Sequence, residues 1–159
     1  MRFCLLDRIV SCEPGIVLRG LKRLTVAEEY LADHFPGFPI MPGVLQLQSL
    51  VEAGSWLLRI TDEFCFSVTV LREVKSVKFG SLLQPGKPLE VTVEIVSRDG
   101  PNAQLRGKGE CEGIQTISAQ FSLVCYNLSD RNAAHKDRDE RLLRHWRSQH
   151  TLLTGGLKV

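Results

Sequence analysis

The sequence of 159 residues lacks any apolar run close to the ~20 residues that a membrane-spanning helix requires. Its opening stretch, Met1 to Val10, is interrupted by Arg2, Asp7 and Arg8, which the apolar core of a secretory signal does not tolerate, so a cytoplasmic location is expected. It also lacks an excess of either charge: 20 Lys and Arg against 18 Asp and Glu give a formal net charge of +2, too weak a field to mark a dedicated nucleic-acid binder. Cysteine pairing is absent too. Cys4, Cys12, Cys65, Cys111 and Cys125 are odd in number and scattered, with no C-x-x-C spacing and no His at ligand distance in sequence, so they read as reduced thiols and no metal is expected. Those within strand-like runs are expected to serve as small core hydrophobes. No internal repeat or low-complexity tract is present. What remains is 43% hydrophobic and 24% charged residues, an average composition for one soluble domain with one core.

The chain changes character near Asn127. Residues 1–128 are mostly strand-like and carry a net charge of −1, whereas 129–159 are polar, helix-like and basic, with seven Lys or Arg against four Asp or Glu. Period-two alternation marks strands at Phe64, Phe66, Val68 and Val70, at Leu89, Val91, Val93 and Ile95, and at Ile117, Ala119, Phe121 and Leu123. Gln84-Pro85-Gly86, Asp99-Gly100-Pro101-Asn102 and Glu112-Gly113 supply turns, so the last three strands should form a meander. An earlier strand is expected over Ile16 to Leu24. Val44 to Ile60 breaks the pattern: it has no proline, and Leu47, Leu50, Val51, Leu57 and Leu58 recur at helical spacing beside the small Ala53, Gly54 and Ser55. Its apolar residues extend around more than one face, which suits a helix wrapped by a curved sheet. The fold class is therefore α+β.

The segment between the first strand and this helix is the most unusual in the chain. From Pro36 to Gly43 it holds three prolines and two glycines in eight residues, which fix an irregular backbone just where the helix begins. The helix start beyond Pro42 offers unpaired amides and a partial positive charge, a place for a developing oxyanion. His34 is the one side chain in the loop that titrates near neutrality, and so the natural general base.

The stretch His34-Phe35-Pro36-Gly37-Phe38-Pro39-Ile40-Met41-Pro42-Gly43-Val44-Leu45 resembles the beta-hydroxyacyl-acyl-carrier-protein dehydratases of fatty-acid synthesis, whose signature reads H-F-P-x-x-P-x-x-P-G-V-L-x-x-E/D. Every signature position up to Leu45 matches. The likeness continues through Leu5 to Val10, Glu13-Pro14-Gly15, Val77-Lys78-Phe79 and Gln84-Pro85-Gly86, and covers roughly residues 2–128. It implies a hotdog fold, a curved antiparallel sheet around one long helix, assembled as a dimer or a trimer of dimers with the site between two subunits. In that resemblance His34 removes the α-proton of a hydroxyacyl thioester, the Gly43 amide binds its carbonyl, Phe35, Ile40 and Val44 line the acyl tunnel, and no cofactor takes part. The thioester is delivered by an acyl carrier protein. Carriers of this kind are acidic, so the expected docking residues are Arg72, Lys75, Lys78 and Lys87.

The chain departs from the signature at its last position. Gln48 stands where the family has its acid, and a carboxamide has no proton to donate. Glu52, one turn further on the same helical face, is the alternative acid; its other reading is a hydrogen-bonded polar residue. Two functions follow: a dehydratase of reduced activity, or a non-catalytic acyl-binding subunit that pairs with an active paralogue, in a homo- or hetero-oligomer. A hotdog thioesterase is disfavoured by the intact His34 signature. For the tail, Asp130 is expected to cap a helix whose Leu142, Leu143, Trp146 and Leu153 face one side and Arg141, Arg144 and Arg147 the other, and which docks on its own oligomer. The terminal Thr154-Gly155-Gly156 is expected to fray.

Overall fold

A computed structural model describes residues 4–35 and 37–155. Six strands form one antiparallel sheet: β1 (Arg8–Glu13), β2 (Val17–Arg23), β3 (Val68–Phe79), β4 (Pro88–Asp99), β5 (Asn102–Cys111) and β6 (Ile114–Tyr126), in the order β1-β2-β4-β5-β6-β3. A short helix, α1 (Tyr30–Asp33), leads into the proline-rich loop, and the long helix α2 (Gly43–Thr61) packs against five of the six strands, β2 through β6. The alternation in β4, β5 and β6 explains this directly. Leu89, Val91 and Val93, Ala103 and Leu105, and Ile117, Ala119, Phe121 and Leu123 are all buried on the face toward α2, while their neighbours point outward.

Two glycines set how close the helix comes. A Cβ at Gly54 of α2 would lie 3.1 Å from the Leu105 side chain, and one at Gly107 of β5 would lie 3.1 Å from Leu50. Missing side chains on both partners let backbone and sheet approach, so that Leu50, Leu57 and Leu58 reach full burial. The strap that carries α1 is pinned by Lys22, a buried β2 side chain that bridges Asp7 at 3.3 Å and Glu28 at 2.8 Å. Leu31 of α1 is buried beneath it.

Helix α2 and the β4-β5-β6 meander lie where the pattern of the sequence puts them. Several expectations need correction. Phe64 and Phe66 precede β3 and belong to a turn in which Glu63 and Phe64 take positive φ of 49° and 61°. The edge strand β1 carries only Ile9 as a buried residue and gave no readable alternation. Asp130 does not cap the tail helix: it lies in a 3-10 turn over Leu128–Asp130 and accepts the Asn127 amide at 2.8 Å. The tail helix, α3, spans Lys136–Thr154 and ends in an ordered turn, with Thr154 buried and its Oγ1 donating to His150 O at 2.9 Å; Gly156 lies outside the described residues.

The tail docks on its own subunit. Asp139, buried in the first turn of α3, accepts the Leu128 and Ser129 amides at 2.9 Å each and the Ser67 hydroxyl. Burial raises its carboxyl, but those hydrogen bonds outweigh burial and hold it down at about 2. Trp146 Nε1 donates to Ser67 O at 2.9 Å, and its ring meets Trp56 of α2 edge-on at 5.9 Å. Arg59, only 7% exposed, packs beside both indoles, its guanidinium 4.1 Å from the Trp146 ring centroid and 5.4 Å from that of Trp56. All five cysteines are free, with Cys111 and Cys125 buried in the sheet.

Candidate active site

His34 caps the C-terminal end of α1, half-buried, with its ring 4.7 Å from that of Phe35 in a T-shaped contact. Phe35 takes a left-handed φ of 51°, a strained choice for a bulky residue. Its carbonyl accepts the Phe38 amide at 2.8 Å, closing a tight turn that holds His34 at the loop's mouth. The loop is anchored at its far side, where Met41 N donates to Leu83 O at 2.8 Å and Ile40 and Met41 are buried.

The start of α2 is then fixed by Pro42, whose carbonyl accepts the Leu45 and Gln46 amides at 3.0 and 3.1 Å. The amides of Gly43 and Val44 precede them, among the first N–H groups of a helix, which have no intrahelical partner. Glycine at position 43 lets the Phe79 ring at the end of β3 close on the helix start: a Cβ there would stand 2.7 Å from that ring and displace it. This contact brings the end of an edge strand against the helix N-terminus. Around it Phe35, Val44 and Phe79 are 60%, 69% and 54% exposed, with Phe38 and Leu82 also open, so one chain leaves an apolar surface here.

Of the residues expected in the site, His34 and Phe35 lie at the entry of the loop, Gly43 and Val44 open α2 at its exit, and Ile40 is buried between them in sequence. Gln48, in the second turn of α2, is exposed. Glu52, a turn later, is half-buried, and its Oε2 accepts the Leu5 amide at 2.9 Å. Burial pushes the Glu52 carboxyl up, with the Leu5 amide and the Trp56 indole pulling the other way without reversing the shift. Sequence reasoning missed Gln46, which is buried and donates from Nε2 to Met41 O at 3.4 Å, bracing the loop from inside. Its signal was available: it falls between Pro42 and Leu50 on the inward side of the helix.

Of the four cations expected to meet a carrier, Arg72, Lys75 and Lys78 lie along β3, whereas Lys87 sits in the turn before β4 and is paired with Glu112 at 2.8 Å. Among the described residues, no cluster of three or more His, Cys, Asp or Glu side chains is arranged to hold a metal, and no helix is long and apolar enough to cross a membrane.

Comparison with known proteins places these features in context. Residues 18–114 match the ApeI-like family, described as ApeI dehydratase. The chain is 35% identical over 133 residues to the 3-hydroxyacyl-acyl-carrier-protein dehydratase FabZ of Anaeromyxobacter sp., covering 81% of this chain and 82% of the relative. It is 32% identical over 120 residues to the protein of the same name from Clostridium acetobutylicum, covering 76% and 85%. Among solved structures, smu.793 from Streptococcus mutans bound to acetyl CoA superposes with a TM-score of 0.61 at 16% identity, covering 79% of this chain and 92% of that one. The dehydratase heterocomplex ApeI:P from Xenorhabdus doucetiae gives 0.58 at 18% identity, covering 74% and 97%.

Proposed function

The chain belongs to the ApeI-like dehydratase family, and from that premise we propose that it dehydrates (3R)-hydroxyacyl thioesters carried by an acyl carrier protein, in the cytoplasmic synthesis of fatty acids. The observation that carries this reading is the placement of His34 at the mouth of a strained, anchored loop that ends on the free amides of Gly43 and Val44. One short loop thus joins a base at its entry to an oxyanion donor at its exit, beside exposed apolar side chains, and this supports the reading.

In the proposed reaction, His34 takes the proton from C2 of the acyl group while the Gly43 amide receives the charge that develops on the thioester oxygen. The C2–C3 double bond forms as the C3–O bond breaks. The departing hydroxyl needs a proton to leave as water. Gln48 can orient that hydroxyl by hydrogen bonding but has no proton to release, so the proton taken by His34 returns to the leaving oxygen. Glu52 already accepts the Leu5 amide, and this supports a bracing role, holding the N-terminal segment to α2.

A second copy completes the site. Gln48 and Val44 face outward from α2, and β3 is a long edge strand with an unpaired side bearing exposed Val70, Leu71 and Val77. Edges of this kind pair with another strand, and pairing two β3 strands would bury the apolar surface at the helix start. The test is enoyl formation from a hydroxyacyl-carrier thioester by the purified protein. His34→Ala is expected to lower turnover by at least about 10³-fold, since no other side chain of the loop can take a proton near neutral pH. Wild-type protein that forms no enoyl product from carrier-linked substrates of short, medium and long chain rejects the reading.

A further inference from the structure

Along β6, Ala119, Phe121 and Leu123 are buried toward α2, so Ser118, Gln120 and Ser122 face outward on the opposite side of the sheet. On β3 their partners are Lys78, Ser76 and Glu73. The register slips twice along this pair, between Leu71 and Glu73 and between Val74 and Ser76, and the extra residues are Arg72 and Lys75. Such a bulge places two residues of one strand opposite one of the other and re-aims the added side chain. Arg72, Lys75 and Lys78 therefore recur every three residues yet share the outer face, although a regular strand would alternate them between faces.

Their side chains confirm the direction. Arg72 Nη1 donates to Asn102 Oδ1 at 2.9 Å and Lys75 Nζ to Gln104 Oε1 at 3.0 Å, both acceptors being outward residues of β5, so each cation stretches across β6. The acceptors are neutral amides, which hold the cations in place without cancelling their charge. Arg106 follows on β5, beside Lys78, Ser118 and Gln120. Among the described residues none of Arg72, Lys75, Lys78 and Arg106 takes part in an ion pair. Between them run two hollows of about 290 and 210 Å³, the first lined by Glu73 and Asp99 as well as by Arg72 and Lys75.

We propose that this trough is where the acidic carrier protein docks; the inference rests on the function proposed above, and it adds Arg106 to the expected cations and removes Lys87. The row spans roughly 15 Å by the rise of a strand. It ends at Lys78, next to the Phe79 whose ring touches Gly43 on the other face of the sheet, so a carrier lying along it has its end at the strand terminus that the thioester must pass to reach the helix start. Tethered, unpaired cations on a rigid sheet face are suited to acidic side chains, and their attraction should weaken with salt.

The test compares a hydroxyacyl-carrier thioester with the same acyl group on N-acetylcysteamine, which has no protein to dock. The variant Arg72→Gln/Lys75→Gln/Arg106→Gln is expected to raise KM for the carrier substrate about tenfold or more at low salt, while kcat/KM for the small thioester stays within about twofold. Lys87→Gln is expected to change neither. Circular dichroism and a thermal melt establish that the triple variant is folded. Direct binding of the acyl-free carrier, followed by fluorescence anisotropy across a salt series, separates this inference from the reaction itself: if the wild type turns over neither substrate yet binds the carrier and the triple variant does not, the docking surface stands and the dehydratase reading falls. A folded triple variant that binds the carrier as the wild type does overturns the proposal.

Discussion

The two ends of helix α2 are finished in opposite ways. At its N-terminus the chain leaves Phe35, Val44 and Phe79 exposed around a strained loop, and the helix amides open onto that surface. At its C-terminus the same chain returns as α3 and covers the helix end: Arg59 packs beside Trp56 and Trp146, Asp62 meets Arg98 at 2.7 Å, and Asp139 holds the approach to the tail. About 28 Å of helix separates the two. The closed end shows that this protein can bury aromatic residues when only its own chain is involved. On the function proposed above, the open end is the surface that meets a second copy and an acyl group, so stability and activity should respond to substitutions at different ends.

Trp146→Ala is the strongest way to break this comparison. It removes the indole bond to Ser67, the edge contact with Trp56 and the ring against which the Arg59 guanidinium packs, a group that burial already pushes down to about 10. A loss of about 2–4 kcal/mol in chemical denaturation is expected, in the range of large aromatic truncations with a stranded charge. Activity of the folded fraction should stay near wild type. A fall in activity without a fall in stability would mean that the two ends are coupled.

Asp139→Asn is next, at about 1–3 kcal/mol, because one carboxylate serves Leu128, Ser129 and Ser67 and an amide can replace it only in part. Its pH signature is specific. The folded carboxyl is held at about 2, below its ordinary 3.8, so its contribution is fully present above that ordinary value and is lost as pH falls from near 4 toward 2. The acid limb of a stability profile should flatten in that window in the Asn variant. An unchanged limb would show that the clamp is not charged.

The closed end was also the less legible one in the sequence, and for a physical reason. Helix α2 and the β4-β5-β6 meander repeat their apolar residues at the period of their own element, so local pattern and burial coincide. The loop from His34 to Gly43 was visible through its prolines and glycines. By contrast, Arg59 looks like a surface cation until Trp146, 87 residues later, covers it. Strand β1 lies at an edge with one buried residue, and the two bulges in β3 break the alternation on which a strand is recognised. Long-range cover and register slips leave no local trace.

At the open end, Gln48→Glu sharpens the contrast. Placing a proton donor at the position where the resemblance has its acid is expected to raise the dehydration rate about tenfold, equivalent to ~1.4 kcal/mol of barrier, with little change in stability because Gln48 is exposed. A carbonyl-linked product assay in single turnover reads this directly. No gain would mean that the leaving oxygen already receives its proton from another group, His34 or Glu52.

The smallest effect is expected at Glu52, and it decides between two roles for a carboxyl on the same helical face. If Glu52 braces the N-terminal segment, what matters is an acceptor for the Leu5 amide, and the oxygen of a carboxamide supplies one. Burial raises the Glu52 carboxyl, so its ionised form is disfavoured where it stands, and replacing it by a neutral amide of the same shape removes that cost while keeping the bond. Glu52→Gln should therefore retain activity within about twofold and stability within about 1 kcal/mol, with a slight gain in stability once pH is high enough to ionise the wild-type carboxyl in the folded protein. A proton donor behaves differently. If Glu52 supplies the proton to the leaving hydroxyl, the same substitution lowers turnover by about 10²-fold or more while the melting curve barely moves, and Gln48→Glu then rescues it.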